Sequence, residues 1–212
     1  MPDWCRTEVI FEGENAKKLY EDWESAVEKN PEEKDYPWLG FLFENWEDEE
    51  EIDVYINKIF VDDYEFDREK QIVIFRIDEP YEPHFDVYDF ISQKYKLKYY
   101  LLATEPANRI FINTDREKKY FSESYYFELW FPEKPIETKL FEKLKILDNI
   151  RYIEDFETIK ELLEEYGIKT EDDMFKLCEY IEKTYQDVIV VFNTYTDYYI
   201  DTNPDESYII FA

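Results

Sequence analysis

The chain has 212 residues, 44% of them apolar and 20% aromatic, which excludes a disordered acidic tail and is enough to build a core. Its 53 Asp and Glu against 25 Lys and Arg give a formal net charge of -28. That charge repels nucleic acid and anionic membranes, and it attracts basic surfaces over about 8 Å, the Debye length at physiological salt.

The stretch RTEVIFEG, residues 6–13, alternates polar and apolar side chains and stops at a glycine, which predicts a first strand. In ENAKKLYEDWESAVEKN, Ala16, Leu19, Tyr20, Trp23, Ala26 and Val27 share one helical face, so a helix is expected to follow and to end before Pro31. From residue 31 to 70 the pattern loosens around Pro31, Pro37 and Gly40 and an aromatic cluster of Trp38, Phe41, Phe43 and Trp46. Residues 44–69 hold twelve acids against Lys58 and Arg68, and they are read as an acidic insertion.

KQIVIFRID, residues 70–78, is the clearest strand of the first half. A helix is expected after Pro83, with Phe85, Tyr88, Phe90 and Ile91 as its stripe. KLKYYLLATEP, NRIFINTD and ESYYFELWF read as three more strands. Beyond Pro132 and Pro135 three helices are expected at IETKLFEKLKIL, DFETIKELLEEYG and TEDDMFKLCEYIEKTY. Gly167 suits a C-terminal cap, and Thr170 with Asp173 suits a capping box. DVIVVFN, DYYID and SYIIFA read as closing strands.

The opening MPDWCRTEVIFEG resembles the start of the YubB-like family, plasmid and phage proteins with a ferredoxin-like domain whose members typically begin Met-Pro-Asn-Trp-Cys. The resemblance returns at VIFRIDEPYEPHFDVYDFISQKYKLKYYLLATEPANRIF and covers about half the chain. Asp3 replaces the family's Asn, EPYEP replaces a Trp-Ser-Pro-Pro turn, and TEPAN lacks a glycine. The resemblance implies a ferredoxin-like fold and an origin in mobile elements; it brings no catalytic motif.

The expected class is therefore α+β, a ferredoxin-like antiparallel sheet with helices on one face, plus a helix-rich C-terminal part ending in short strands. The expected domains are residues 1–132, with the insertion at 31–70, and residues 133–212. The start lacks the basic and apolar regions of a signal peptide, and no run approaches the roughly eighteen apolar residues of a membrane span. A soluble protein of the bacterial cytoplasm with reduced thiols is expected.

Catalysis has little to stand on. His84 is the sole histidine and is read as a helix cap or surface residue, and no serine or cysteine lies in a nucleophile motif. Cys5 is expected to anchor the N-terminus against the sheet, and Cys178 to pack with Met174, Leu177 and Ile181. DEEEID lacks the glycine and spacing of a calcium loop, so neither metal nor cofactor is expected. The helix-glycine-helix rhythm near Gly167 suggests a DNA-reading pair, but Glu171, Asp172 and Asp173 would face phosphates, which favours simple packing.

What remains is the charge. Trp46, Glu47, Asp48, Glu49, Glu50, Glu51, Asp53, Asp62, Asp63 and Glu65 are the candidate partner-binding residues, with Tyr55 and Tyr64 as further anchors. The expected partner is a basic, nucleic-acid-binding host protein, of the kind found in CRISPR effectors or restriction enzymes, with no direct binding to nucleic acid or membrane. The alternatives are a scaffold module whose acidity serves only solubility, and an enzyme using carboxylates with a divalent metal.

Overall fold

Strand β1, Trp4–Glu12, is two-faced because its side chains alternate: Cys5, Thr7, Val9 and Phe11 are buried on one face, while Arg6 is exposed and Glu8 half-buried on the other. The computed structural model describes residues 3–33, 35–43, 59–130, 138–185, 187–197, 199–200 and 209–210. After β1 the chain turns at Gly13, whose positive φ and close approach to Leu97 leave no comfortable room for a side chain. Helix α1, Ala16–Lys29, then buries Ala16, Leu19, Trp23, Ala26 and Val27.

Strands β2, Phe60–Asp67, and β3, Ile72–Pro80, form a hairpin. Helix α2, Phe85–Tyr95, leads to β4, Lys98–Glu105, and β5, Ile110–Asn113. The strands lie in the order β2-β3-β1-β4-β5, antiparallel at every junction. Both helical crossovers skip one strand, which is the ferredoxin-like split βαβ arrangement. The core is the inward face of this sheet, with Val9, Phe11, Val73, Phe75 and Leu101, against Leu19 and Trp23 of α1 and Tyr88 and Ile91 of α2.

The chain divides into two compact units, Met1–Arg116 with Asp197–Ala212, and Glu117–Thr196. Strand β6, Tyr125–Trp130, which the sequence places with the first domain, is the centre of the second unit's sheet between β7, Tyr152–Ile153, and β8, Ile189–Thr194. Its partner β8 lies about sixty residues on in sequence, so local patterning cannot assign it. Helices α3, Lys139–Ile150, α4, Phe156–Leu163, and α5, Glu171–Thr184, supply Phe141, Leu144, Ile159, Met174 and Ile181 to the core beneath Phe127 and Phe192.

Each of these helices starts on a side-chain cap. Thr138, Asp155 and Thr170 accept from backbone N–H groups, and Thr170 with Asp173 completes the capping box. Gly167, at φ +79°, ends the turn after α4 in the left-handed conformation. Two short strands, Tyr199–Ile200 and Ile209–Ile210, pair as an antiparallel ladder that closes the described chain. Among the described residues no helix is long and apolar enough to cross a membrane.

Candidate functional site

Of the ten candidate contact residues, Trp46, Glu47, Asp48, Glu49, Glu50, Glu51 and Asp53 lie outside the described residues, as does Tyr55. Asp62, Asp63 and Glu65 are exposed on β2, which lies at one edge of the first unit's sheet. At its start β2 is bordered by residues 37–39, through Leu39 N–H to Ile59 and Val61 N–H to Pro37. Beyond that a β-bulge between Val61 and Asp63 shifts the register, which puts Asp62 and Asp63 side by side.

These carboxylates are not all equivalent. Arg76 on β3 reaches Asp63 at 2.5 Å, Glu8 on β1 at 3.0 Å and Glu65 at 3.6 Å, so a single guanidinium clamps three acids across three strands. The cluster keeps two net negative charges. Asp62 stands outside this clamp, and its charge adds to burial in pushing the Asp78 carboxyl upward, against the pull of Arg6. The result is a face on which Arg76 orients Asp63 and Glu65 while Asp62 stays exposed beside them, with carboxylate oxygens able to accept hydrogen bonds from Lys or Arg of another protein. Among the described residues no group of three or more His, Cys, Asp or Glu is placed to hold a metal ion.

Tyr64, expected as an interface anchor, is turned inward. Its ring packs edge-on to Trp23 and its hydroxyl donates to Glu24 at 2.7 Å. The bulge is the reason: it resets the alternation so that Tyr64 and Phe66 join the core side while Asp63 and Glu65 stay outside.

The most concentrated polar chemistry lies on the opposite, inward face and was not expected from the sequence. Glu79, fully buried at the end of β3, accepts from Thr7 Oγ1 at 2.5 Å and from the Tyr88 hydroxyl, the His84 backbone N–H and His84 Nδ1, each at 2.8 Å. His84 precedes α2 at the N-cap position, yet its side chain makes no capping bond; the ring turns to Glu79 instead. The cap or surface role is thus corrected to a half-buried tether between strand and helix. Four donors on two oxygens satisfy the carboxylate, which pins β1, β3 and the start of α2 together.

Burial alone would lower the His84 imidazolium, but the hydrogen bond and charge of Glu79, with Asp86 and Glu82 nearby, raise it. A pKa raised in the folded state adds stability that is fully present below the unfolded value, near 6.5, and is lost as pH rises through the folded value. The urea midpoint of the first unit is therefore expected to fall as pH rises above about 6.5, and His84→Gln is expected to flatten that slope. A midpoint equally pH-dependent in His84→Gln would contradict this. Cys5 lies beside the network, 3.8 Å from Thr7 Oγ1, and its thiol is pushed far upward by burial and by Glu79, which disfavours the thiolate. Cys178 is buried on α5 with Met174 and Ile181, and burial pushes its thiol up to about 12.

No family model, no curated protein and no solved structure matches the chain.

Proposed function

We propose that the protein is a non-enzymatic inhibitor of mobile-element origin that binds a basic, nucleic-acid-handling host protein by presenting carboxylates where phosphates would lie, in the manner of anti-CRISPR or anti-restriction proteins. The observation that carries this reading is the net charge of -28 combined with acids exposed on an edge strand, Asp62, Asp63 and Glu65. Duplex DNA offers one negative charge per roughly 1.7 Å of axis, and a dense carboxylate face presents a comparable field to a basic groove. The resemblance of MPDWCRTEVIFEG to plasmid and phage proteins supports the origin. A fully satisfied Glu79 and a buried Cys5 support the absence of catalysis.

One observation favours a second reading, a scaffold module. Charged side chains on an edge strand also stop it from pairing with other chains, so Asp62, Asp63 and Glu65 have a use with no partner at all. Asp62→Lys separates the two readings, because Asp62 lies outside the Arg76 clamp and its reversal leaves the fold intact. Proteins captured from a bacterial lysate are expected to bind at about 0.05 M salt, to dissociate at about 0.5 M and to be displaced by duplex DNA or RNA. Asp62→Lys is expected to weaken the captured complex about tenfold, chiefly through slower association. A complex indifferent to salt, nucleic acid and Asp62→Lys would leave the scaffold reading standing.

A further inference from the structure

The second unit has an edge of its own. Strand β8 pairs with β6 on one side and with no strand on the other among the described residues. In an antiparallel ladder alternate residues send their N–H and C=O groups to opposite sides. The Val190 N–H leaves the ladder to reach the Glu182 carboxylate at 3.2 Å, so Val190, Phe192 and Thr194 all direct their backbone groups away from β6. The inner strand agrees: Leu129, opposite Val190, donates to Asp148, and Phe127, opposite Phe192, donates to the Arg151 carbonyl.

Helix α5 runs along this outer edge, and one stripe of it borders β8. Glu171 accepts from the Tyr125 hydroxyl at 2.7 Å beside Thr194, Phe175 meets Phe192 with ring centroids 4.9 Å apart, and Glu182 caps Val190. Glu171 and Glu182 are exposed, and Phe175 is 40% exposed. The edge is thus flanked by a carboxylate at each end and an open aromatic ring in the middle. On the sheet's other face, Ile189 and its cross-strand neighbour Trp130 are 56% and 60% exposed.

We infer that the outer edge of β8 is a docking edge for an extended segment of a partner protein, one that adds a strand to the sheet and carries basic residues on either side of an apolar one. Backbone pairing with Phe192 and Thr194 supplies the register, and the side chains opposite them point toward α5. Residues four apart in a strand are separated by about 13 Å and Glu171 from Glu182 by about 16 Å along the helix, so two basic side chains at that spacing reach both carboxylates. Their intervening residue lies over Phe175. The expectation of a basic segment rests on the proposed function; the edge itself rests on the backbone.

The test uses the full chain, isotope-labelled, and the peptide acetyl-Lys-Val-Leu-Val-Lys-amide. Binding is expected to shift the amide resonances of Phe192 and Thr194 and slow their hydrogen exchange, and the same peptide with Glu for Lys is expected not to bind. Thr194→Pro removes an outward N–H and leaves the β6 ladder intact, so it is expected to weaken binding at least about tenfold. Glu171→Lys, which leaves the Glu182 bond to the Val190 N–H in place, is expected to weaken binding as well without touching a backbone partner of β8. Shifts confined to β2, or equal binding by these variants, would overturn the edge while leaving the proposed function in place. A Thr194→Pro-sensitive dimer seen without peptide would overturn it in favour of a second copy of the chain. Peptide binding at β8 with no host protein captured from lysate would uphold the edge and count against the proposed function.

Discussion

Glu79→Ala is expected to destabilise the first unit by about 3–5 kcal/mol, the range for removing one partner of a buried charged network. The truncation removes the acceptor shared by the buried Thr7 and Tyr88 hydroxyls and by the backbone and ring N–H groups of half-buried His84. It also opens a cavity where β1, β3 and α2 meet. Glu79→Gln is expected to cost less, about 1–3 kcal/mol. Its carbonyl keeps the two His84 bonds, and the Thr7 and Tyr88 hydroxyls can rotate to accept from its amide. Urea unfolding followed by tryptophan emission reads both, since Trp4, Trp23 and Trp38 belong to the first unit. Glu79→Ala within about 1 kcal/mol of the parent would show that Glu79 does not pin the first unit.

Much of the first unit was legible in the sequence because its strands obey simple alternation. Strands β1 and β3 and helix α1 stand close to where periodicity places them, with Trp23, Leu19 and Val27 inward as read. Strand β2 was absorbed into the acidic insertion for a definite reason. Its inward residues are Val61, Tyr64 and Phe66, spaced by three and then two, because the bulge at Asp62 adds a residue to the strand. A period-two search fails on such a segment, and its four acids then dominate the reading. Fold class survived this loss, since strand, helix, strand, helix, strand fixes the layers even with one strand missing.

Glu79 carries a signal of its own in the sequence. It continues the inward parity of Val73, Phe75 and Ile77, so a carboxylate was due on the core side of β3. Its donors could not be named in advance, because Thr7 arrives through the β1–β3 register and Tyr88 and His84 through the start of α2. The same limit hid the Arg76 clamp and the edge of β8, both of which depend on which strands are neighbours rather than on any local motif. Composition, by contrast, announced the acidity directly.

Trp23→Ala is expected to cost the first unit about 3–5 kcal/mol, the range for emptying a large aromatic site in a core. Trp23 is fully buried, edge-on to Phe75 at 5.6 Å and to Tyr64 at 5.7 Å between ring centroids, so its loss strips contacts from α1, β2 and β3 together. Its indole N–H has no hydrogen-bond partner among the described residues, which makes the ring useful here for its volume and not for its polarity. Trp23→Phe is therefore expected to recover most of the stability, at a cost under about 1.5 kcal/mol, since the smaller ring leaves a modest void but removes an unsatisfied donor. Equal losses for Ala and Phe would mean that the indole nitrogen is engaged after all. Because Tyr64 leans on Trp23 and neighbours the acids of β2, Trp23→Ala is also expected to loosen that edge, read as faster amide exchange from Asp63 to Phe66 than in Trp23→Phe.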